Sequence, residues 1–214
     1  MKRSALSGTF SMVAFDLDSG DFGVCSATYT LAVGASVIWA EPDIGALAVQ
    51  GLTNAAFGCR CLKLLRDGLP AETVLESVLQ GDILKDHRQI ILIDRSGSVA
   101  AHTGSLTHFW RGHLIGDGYA IAGNMLTGPE VLDSMKVAYE YGGSIEDRLM
   151  RALEAGYGAG GDRRGTRSAA LKVAKHIPLS DARPNIDLRV DYHDKPILEL
   201  AKILSIYKRE YVGE

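Results

Sequence analysis

Four pairs of β-prone runs, each joined by a short turn, restrict this chain more than any other feature of its sequence. Residues 9–16 (TFSMVAFD) are apolar and β-prone, the turn chemistry of DLDSGD follows, and FGVCSATYT resumes the pattern. SVIWAE and GALAVQG flank the turn PDIG, the run QIILIDRSGSVAAHTG reads strand, Arg-Ser-Gly turn, strand, and HFWRGHLIGDGYAIAGN repeats the form. Strands joined this tightly are antiparallel neighbours, because a parallel pair needs a long crossover between its members. A Rossmann-type alternation of strand and helix is thereby excluded.

Helical spacing appears between the strand blocks. Asn54 stands where it caps a helix running to Leu65, and Gly68 and Pro70 separate it from a second helix whose Val74, Leu75, Val78 and Leu79 make one apolar face. Thr127 with Glu130, and Ser144 with Asp147, stand at capping-box spacing and predict helices over 129–141 and 145–156. RSAALKVAKH and DLRVDYH predict two late strands. Asp194 and Pro196 open a final helix with Ile197, Leu200, Ala201 and Leu204 facing inward.

The resulting order is strands, two helices, strands, two helices, strands, helix. It predicts an α+β protein built as a four-layer αββα sandwich, two antiparallel sheets face to face with helices covering both outer surfaces. Runs such as QIILI, apolar at every position, fit strands buried on both faces. A single sheet with helices on one side is the competing arrangement.

With 214 residues, 46% hydrophobic and 23% charged, the chain has the composition of a globular protein with one sizeable core. Residues 9–214 read as one domain, preceded by a leader at 1–8. The formal net charge of −3 gives no reason to expect nucleic acid as a partner, and the basic cluster of Arg163, Arg164 and Arg167 is local and adjoins Asp162. No apolar run is long enough to span a bilayer, and MKRSALSG lacks the apolar core of a signal peptide, so a cytoplasmic protein without a membrane partner is expected. Cys25, Cys59 and Cys61 agree with a reducing compartment. Cys59 and Cys61 are too close for an ordinary zinc pair and read as helix residues. His108 and His113 lack the helical spacing of a metal pair, and Asp191, His193 and Asp194 suggest ligands only loosely. No metal and no cofactor are expected.

Six blocks occur in order: GTFSMVAFDLDSGDFGVCSATYTLAVGA, ALAVQGLTNAAFG, AAHTGS, YAIAGNMLTGPEV, AGGDRRGTRSAAL and DLRVDYHDKP. Together they resemble the bacterial and archaeal family catalogued as domain of unknown function 1028, from Thr9 to about the last helix. That family is assigned to the N-terminal-nucleophile hydrolase superfamily. The resemblance therefore implies the αββα sandwich, and hydrolysis of an amide bond by an N-terminal Thr, Ser or Cys. Thr9 matches the superfamily's nucleophile at the head of the first strand. Two departures stand out. Proteasome-like members carry a lysine on the third strand, where SVIWAE offers only Glu41, and eight residues precede Thr9.

A threonine hydroxyl is a poor nucleophile at neutral pH without an adjacent base. Cleavage of the Gly8–Thr9 bond would supply one, since a free α-amine has a pKa of about 7.7–8.0. In such a site Asp162 and Ser168, from GGDRRGTRS, would orient the amine and relay its proton. Alternatively Arg163 or Arg164 grips a substrate carboxylate bidentately, and the bland reading of this stretch is an ion-paired surface loop. Gln50 and Asn54 are polar groups at the expected mouth of the sandwich, where the Asn54 amide or nearby backbone N–H groups hold an oxyanion, or Asn54 simply caps its helix. Asn124, after Gly123 at a strand end, is either an oxyanion or substrate contact or part of a turn. His102 is a substrate-site residue and conventional general base, or a hydrogen-bonded structural histidine.

The expected function is amide hydrolysis of a small acyl-amino or peptide-like substrate by Thr9. The competing reading is a non-catalytic binding or scaffolding domain that keeps the fold, and a third is a hydrolase using His102 with an internal hydroxyl. If the chain self-associates, a symmetric homodimer is the commonest arrangement.

Overall fold

The structure is a computed structural model that describes residues 8–176 and 185–213; positions 1–7 of the expected leader lie outside the described residues. Every tight turn noted above joins an antiparallel pair. β1 (Thr9–Phe15) pairs with β2 (Phe22–Thr28), β3 (Ile38–Glu41) with β4 (Gly45–Gly51), β5 (Arg88–Asp94) with β6 (Val99–Thr103), and β7 (Trp110–Gly116) with β8 (Tyr119–Leu126). The late strands β9 (Ser168–Ala174) and β10 (Ile186–Val190) pair likewise.

The strands form two antiparallel sheets, in the orders β10-β9-β2-β1-β8-β7 and β3-β4-β5-β6. Helices α1 (Ala55–Arg66) and α2 (Ala71–Leu79) cover the smaller sheet, and α3 (Glu130–Glu140), α4 (Ile145–Gly158) and α5 (Pro196–Tyr211) cover the larger. The result is an αββα sandwich, and its four layers enclose three apolar seams. Phe10, Met12 and Ala14 of β1 face the seam under α3, α4 and α5, while Val13 faces the seam between the sheets with Val24, Ala48, Ile91 and Ala122. Leu47, Ile90 and Leu92 face α1 and α2. A strand with a sheet on one side and helices on the other has no solvent face, which is why β1 and β5 show no polar alternation.

The caps divide into two kinds. Asn54 does cap α1, accepting from the Ala56 amide at 3.0 Å. Ser144 is the N-cap of α4, although its hydroxyl donates to the Asp147 carboxylate at 2.9 Å instead of accepting from the backbone. The Thr127–Glu130 box does not form. The Thr127 amide is occupied by the Gly161 carbonyl, continuing the Leu126–Asp162 bridge, so the chain is still extended there and α3 starts after Pro129. The N-cap residue of helix α2, Pro70, has no side-chain cap bond, and Asp94 supplies one from the end of β5, accepting from the Ala71 amide at 2.8 Å. Among the described residues no helix is long and apolar enough to cross a membrane.

Candidate functional site

Register alone assembles the centre of the site. Thr9 lies opposite Thr28 on β2 and opposite Asn124 on β8, and Thr28 lies opposite Ser168 on β9. Residues directly opposite in an antiparallel sheet share a face. Asn124, Thr9, Thr28 and Ser168 therefore make one row across four strands. The row points into the seam between the sheets, because Val13, Val24, Ala122 and Ala170 lie an even number of positions along the same strands. The seam is thus apolar through most of its length and polar at this end.

Two glutamines of the smaller sheet close the polar end. Gln50 accepts from the Ser11 hydroxyl at 2.5 Å, and its amide group donates to Gln89 Oε1 at 2.7 Å, to the Ala122 carbonyl at 3.2 Å and to the Thr9 carbonyl at 3.4 Å. Gln89 Oε1 also accepts from the Asn124 amide at 2.9 Å, and Gln89 Nε2 lies 2.9 Å from Thr103 Oγ1 and from the Gly112 and Gly123 carbonyls. Gln50, Gln89 and Asn124 are buried, and a satisfied amide network in such surroundings holds the two sheets in fixed relation. Gln50 is accordingly an inter-sheet tie inside the sandwich, not a group at its open mouth.

Thr9 is fully buried, and its hydroxyl donates to Thr28 Oγ1 at 3.3 Å. The Thr28 hydroxyl in turn donates to the Gly8 carbonyl, which also accepts from Arg164 Nη2 at 3.2 Å. Arg164 is held by Asp162. Its Nη2 is 2.6 Å from Asp162 Oδ2, and its Nε and backbone amide are each 3.0 Å from Oδ1. Asp162 also accepts from the Tyr29 amide at 3.1 Å. A side chain at residue 8 would place its Cβ 2.8 Å from Asp162 Cγ and 2.6 Å from Met125 Cβ, so the approach requires glycine. Met125 itself holds a φ of 55°, a conformation unusual for a side chain of its kind, where β8 bends toward the Asp162 loop.

The other expected site residues sit further from the Gly8–Thr9 bond. Ser168 donates to the Thr30 carbonyl at 2.7 Å and accepts from the Val33 amide at 3.2 Å, so it fixes the loop after β2. Arg163 is exposed and stacks on Phe109 at 4.3 Å, leaving Arg164 as the arginine at Gly8. Tyr29 lies between Arg164 at 5.0 Å and Arg167 at 4.9 Å. Asn54 is exposed at the start of α1. His102 pairs with Ile90 on the face turned toward α1 and α2, with Nε2 2.9 Å from the Lys85 carbonyl, and is not brought to Thr9. His113 is the histidine next to the amide network, 2.9 Å from Thr103 Oγ1.

The thiols offer no rival nucleophile among the buried groups. Burial pushes Cys25 up, and pushes Cys61 to about 12. Among the described residues no cluster of three or more histidine, cysteine or acidic side chains is arranged to hold a metal ion. The residues overlooked in the sequence are Thr28, Gln89 and Met125. Thr28 was within reach, because the β1–β2 hairpin closing at Phe15 and Phe22 pairs Thr9 with Thr28 by counting back along both strands.

A family model described as a family of unknown function, DUF1028, matches residues 9–200. The chain belongs to this family. Protein SPO2555 from Silicibacter pomeroyi, also assigned to DUF1028, has a crystal structure that is 35% identical over 94% of this chain and 87% of its own, with a TM-score of 0.86. Anbu (ancestral beta-subunit) from Yersinia bercovieri aligns over 94% of this chain and 97% of its own at 13% identity, with a TM-score of 0.37. Among curated proteins none matches. The DUF1028 match opens on Thr9, the first residue of β1.

Proposed function

We propose that this DUF1028 chain is an N-terminal-nucleophile amide hydrolase whose nucleophile, Thr9, is unmasked when the Gly8–Thr9 bond is cut. The observation that carries the reading is the surroundings of the Gly8 carbonyl. Two fixed donors, the Thr28 hydroxyl and the Arg164 guanidinium, converge on that oxygen, and the Thr9 hydroxyl lies one hydrogen bond away. Donors held in place around a carbonyl oxygen stabilise the charge that develops when its carbon is attacked. The family match beginning at Thr9 and the pressure of Asp162 on Gly8 support the same bond.

In the processed chain the Thr9 α-amine serves as general base for its own hydroxyl. Asp162 faces the space that Gly8 vacates and steadies the amine, while Ser168 acts through the loop it ties. Asn124 and the backbone beside it line the far side of Thr9. Asn54, at the mouth of α1, and His102, on the outer face of β6, take no part in the attack and at most meet distal parts of the substrate. The substrate is a small acyl-amino compound. Arg163 and Arg167 have no carboxylate partner among the described residues, and Arg163 is the exposed guanidinium that a substrate carboxylate would meet.

The second reading is a binding domain that keeps the sandwich without the chemistry. It is favoured by the complete burial of Thr9 with residue 8 attached, and by a third strand, Ile38–Glu41, that carries no lysine. Primary-amine release from a panel of N-acyl amino acids separates the two. The hydrolase reading expects turnover by the wild-type protein and none by Thr9→Ala. Equal turnover by Thr9→Ala would remove Thr9 from the mechanism.

A further inference from the structure

We propose that Thr28 is the proton relay of Gly8–Thr9 cleavage, an inference that rests on the self-processing reading above. The Thr9 hydroxyl donates to Thr28 Oγ1 at 3.3 Å, and the Thr28 hydroxyl donates to the Gly8 carbonyl oxygen. The nucleophile and the oxygen that must receive a proton are therefore joined through one side chain. Thr28 is fully buried and paired on both sides, with Thr9 and with Ser168, and its oxygen also accepts from the Thr30 amide at 3.3 Å. Its hydroxyl also lies 3.4 Å from Thr30 Oγ1, and of the two contacts open to its own proton the one to the Gly8 carbonyl is the shorter.

The step balances without an external base. Thr9 Oγ1 bonds to the Gly8 carbonyl carbon, closing a small ring through Thr9 Cβ, Cα and N. The Thr9 hydroxyl proton passes to Thr28 Oγ1 as the Thr28 proton passes to the carbonyl oxygen, so the tetrahedral species is neutral. Its C–N bond then breaks, the nitrogen taking the proton from the new hydroxyl, to leave an ester between Gly8 and Thr9 Oγ1 and a free α-amine. Water cleaves the ester to the Gly8 carboxylic acid and the Thr9 hydroxyl, so one water is consumed overall. Arg164, steadied by Asp162, stays on the same oxygen throughout. A hydroxyl relay also accounts for a cleavage site whose third strand carries no lysine.

The test follows processing from the moment of synthesis, with full-length wild type, Thr28→Val and Thr28→Ser made by cell-free translation and sampled by intact mass. Valine keeps the shape without the hydroxyl. The relay predicts cleavage slowed at least ~100-fold in Thr28→Val, the scale of one lost proton-transfer catalyst, and restored to within ~10-fold of wild type in Thr28→Ser. Cleavage of Thr28→Val at the wild-type rate would overturn the relay while leaving self-processing intact. A wild-type chain that never shortens would overturn self-processing itself, and the relay with it. Should Thr28→Val not fold, as judged by circular dichroism, a proton inventory on the wild type in H2O–D2O mixtures decides. A bowed inventory, reporting more than one proton in flight, supports the relay, and a linear one overturns it.

Discussion

Asp162 stands against Gly8 so closely that a Cβ added there would lie 2.8 Å from the Asp162 carboxyl carbon. The contact joins a loop late in the chain to the residue ahead of the first strand, and it explains why glycine precedes Thr9. Gly8→Ala forces that loop or β1 to shift, and overpacking of this kind costs about 1–3 kcal/mol. The variant is expected to unfold at lower denaturant and to process more slowly than wild type. Urea midpoints and intact masses taken in parallel measure both effects.

Neighbouring arginines are expected to behave very differently. Arg164 binds the buried Asp162 carboxylate and the Gly8 carbonyl, so Arg164→Ala strands a buried charge at a cost of about 3 kcal/mol and impairs cleavage. Arg163 is exposed on Phe109, and Arg163→Ala is expected to change stability by about 0.5–1 kcal/mol with processing intact. Unfolding curves and processed fractions for the two variants test the assignment. Equal behaviour would contradict it.

The amide network is expected to be strongly coupled. Gln50→Ala and Gln89→Ala each leave buried partners without a hydrogen bond, at about 1–3 kcal/mol per stranded group. Both lose the same Gln50–Gln89 bond, so the double variant is expected to fall short of the sum by about 0.5–3 kcal/mol. A double-mutant cycle from chemical denaturation gives the coupling directly, and strict additivity would deny that the network acts as one unit.

Acid sensitivity is expected at Asp94. Burial alone would raise its carboxyl, but donors from Ser96, Ala71 and Ser98 outweigh burial and hold it below its ordinary value of 3.8. The folded chain therefore binds that proton less readily than the unfolded chain. The stabilisation is complete above pH 3.8 and is lost as pH falls through the lowered folded value. Asp94→Asn should be less stable than wild type at pH 7, and the gap should narrow below pH 3.8. Urea unfolding at pH 7, 5 and 3 reads this out, and a gap constant across that range would contradict it.

Local chemistry wrote much of the fold into the sequence. Short turns set the hairpins, β-prone runs without polar alternation marked strands covered on both faces, and Asn54 marked the start of α1. What could not be read was contact between distant segments. Nothing local says that β8 joins β1, or that β9 joins β2, yet those pairings create the row of Asn124, Thr9, Thr28 and Ser168. The same limit explains the Thr127 cap that failed, since its amide is taken by Gly161 from a loop far along the chain. It also explains Gln50, which reads as a strand end beside a helix until the larger sheet is laid across it. Of the arginine cluster, only the fold distinguishes Arg164 at Gly8 from Arg163 on Phe109.

Cleavage of the Gly8–Thr9 bond is read from the intact mass of the purified wild-type protein beside that of Thr9→Ala. The wild-type chain is expected to begin at Thr9, and the Thr9→Ala chain to keep Gly8 and the residues before it. A wild-type chain that retains Gly8 and everything before it after prolonged incubation would contradict it.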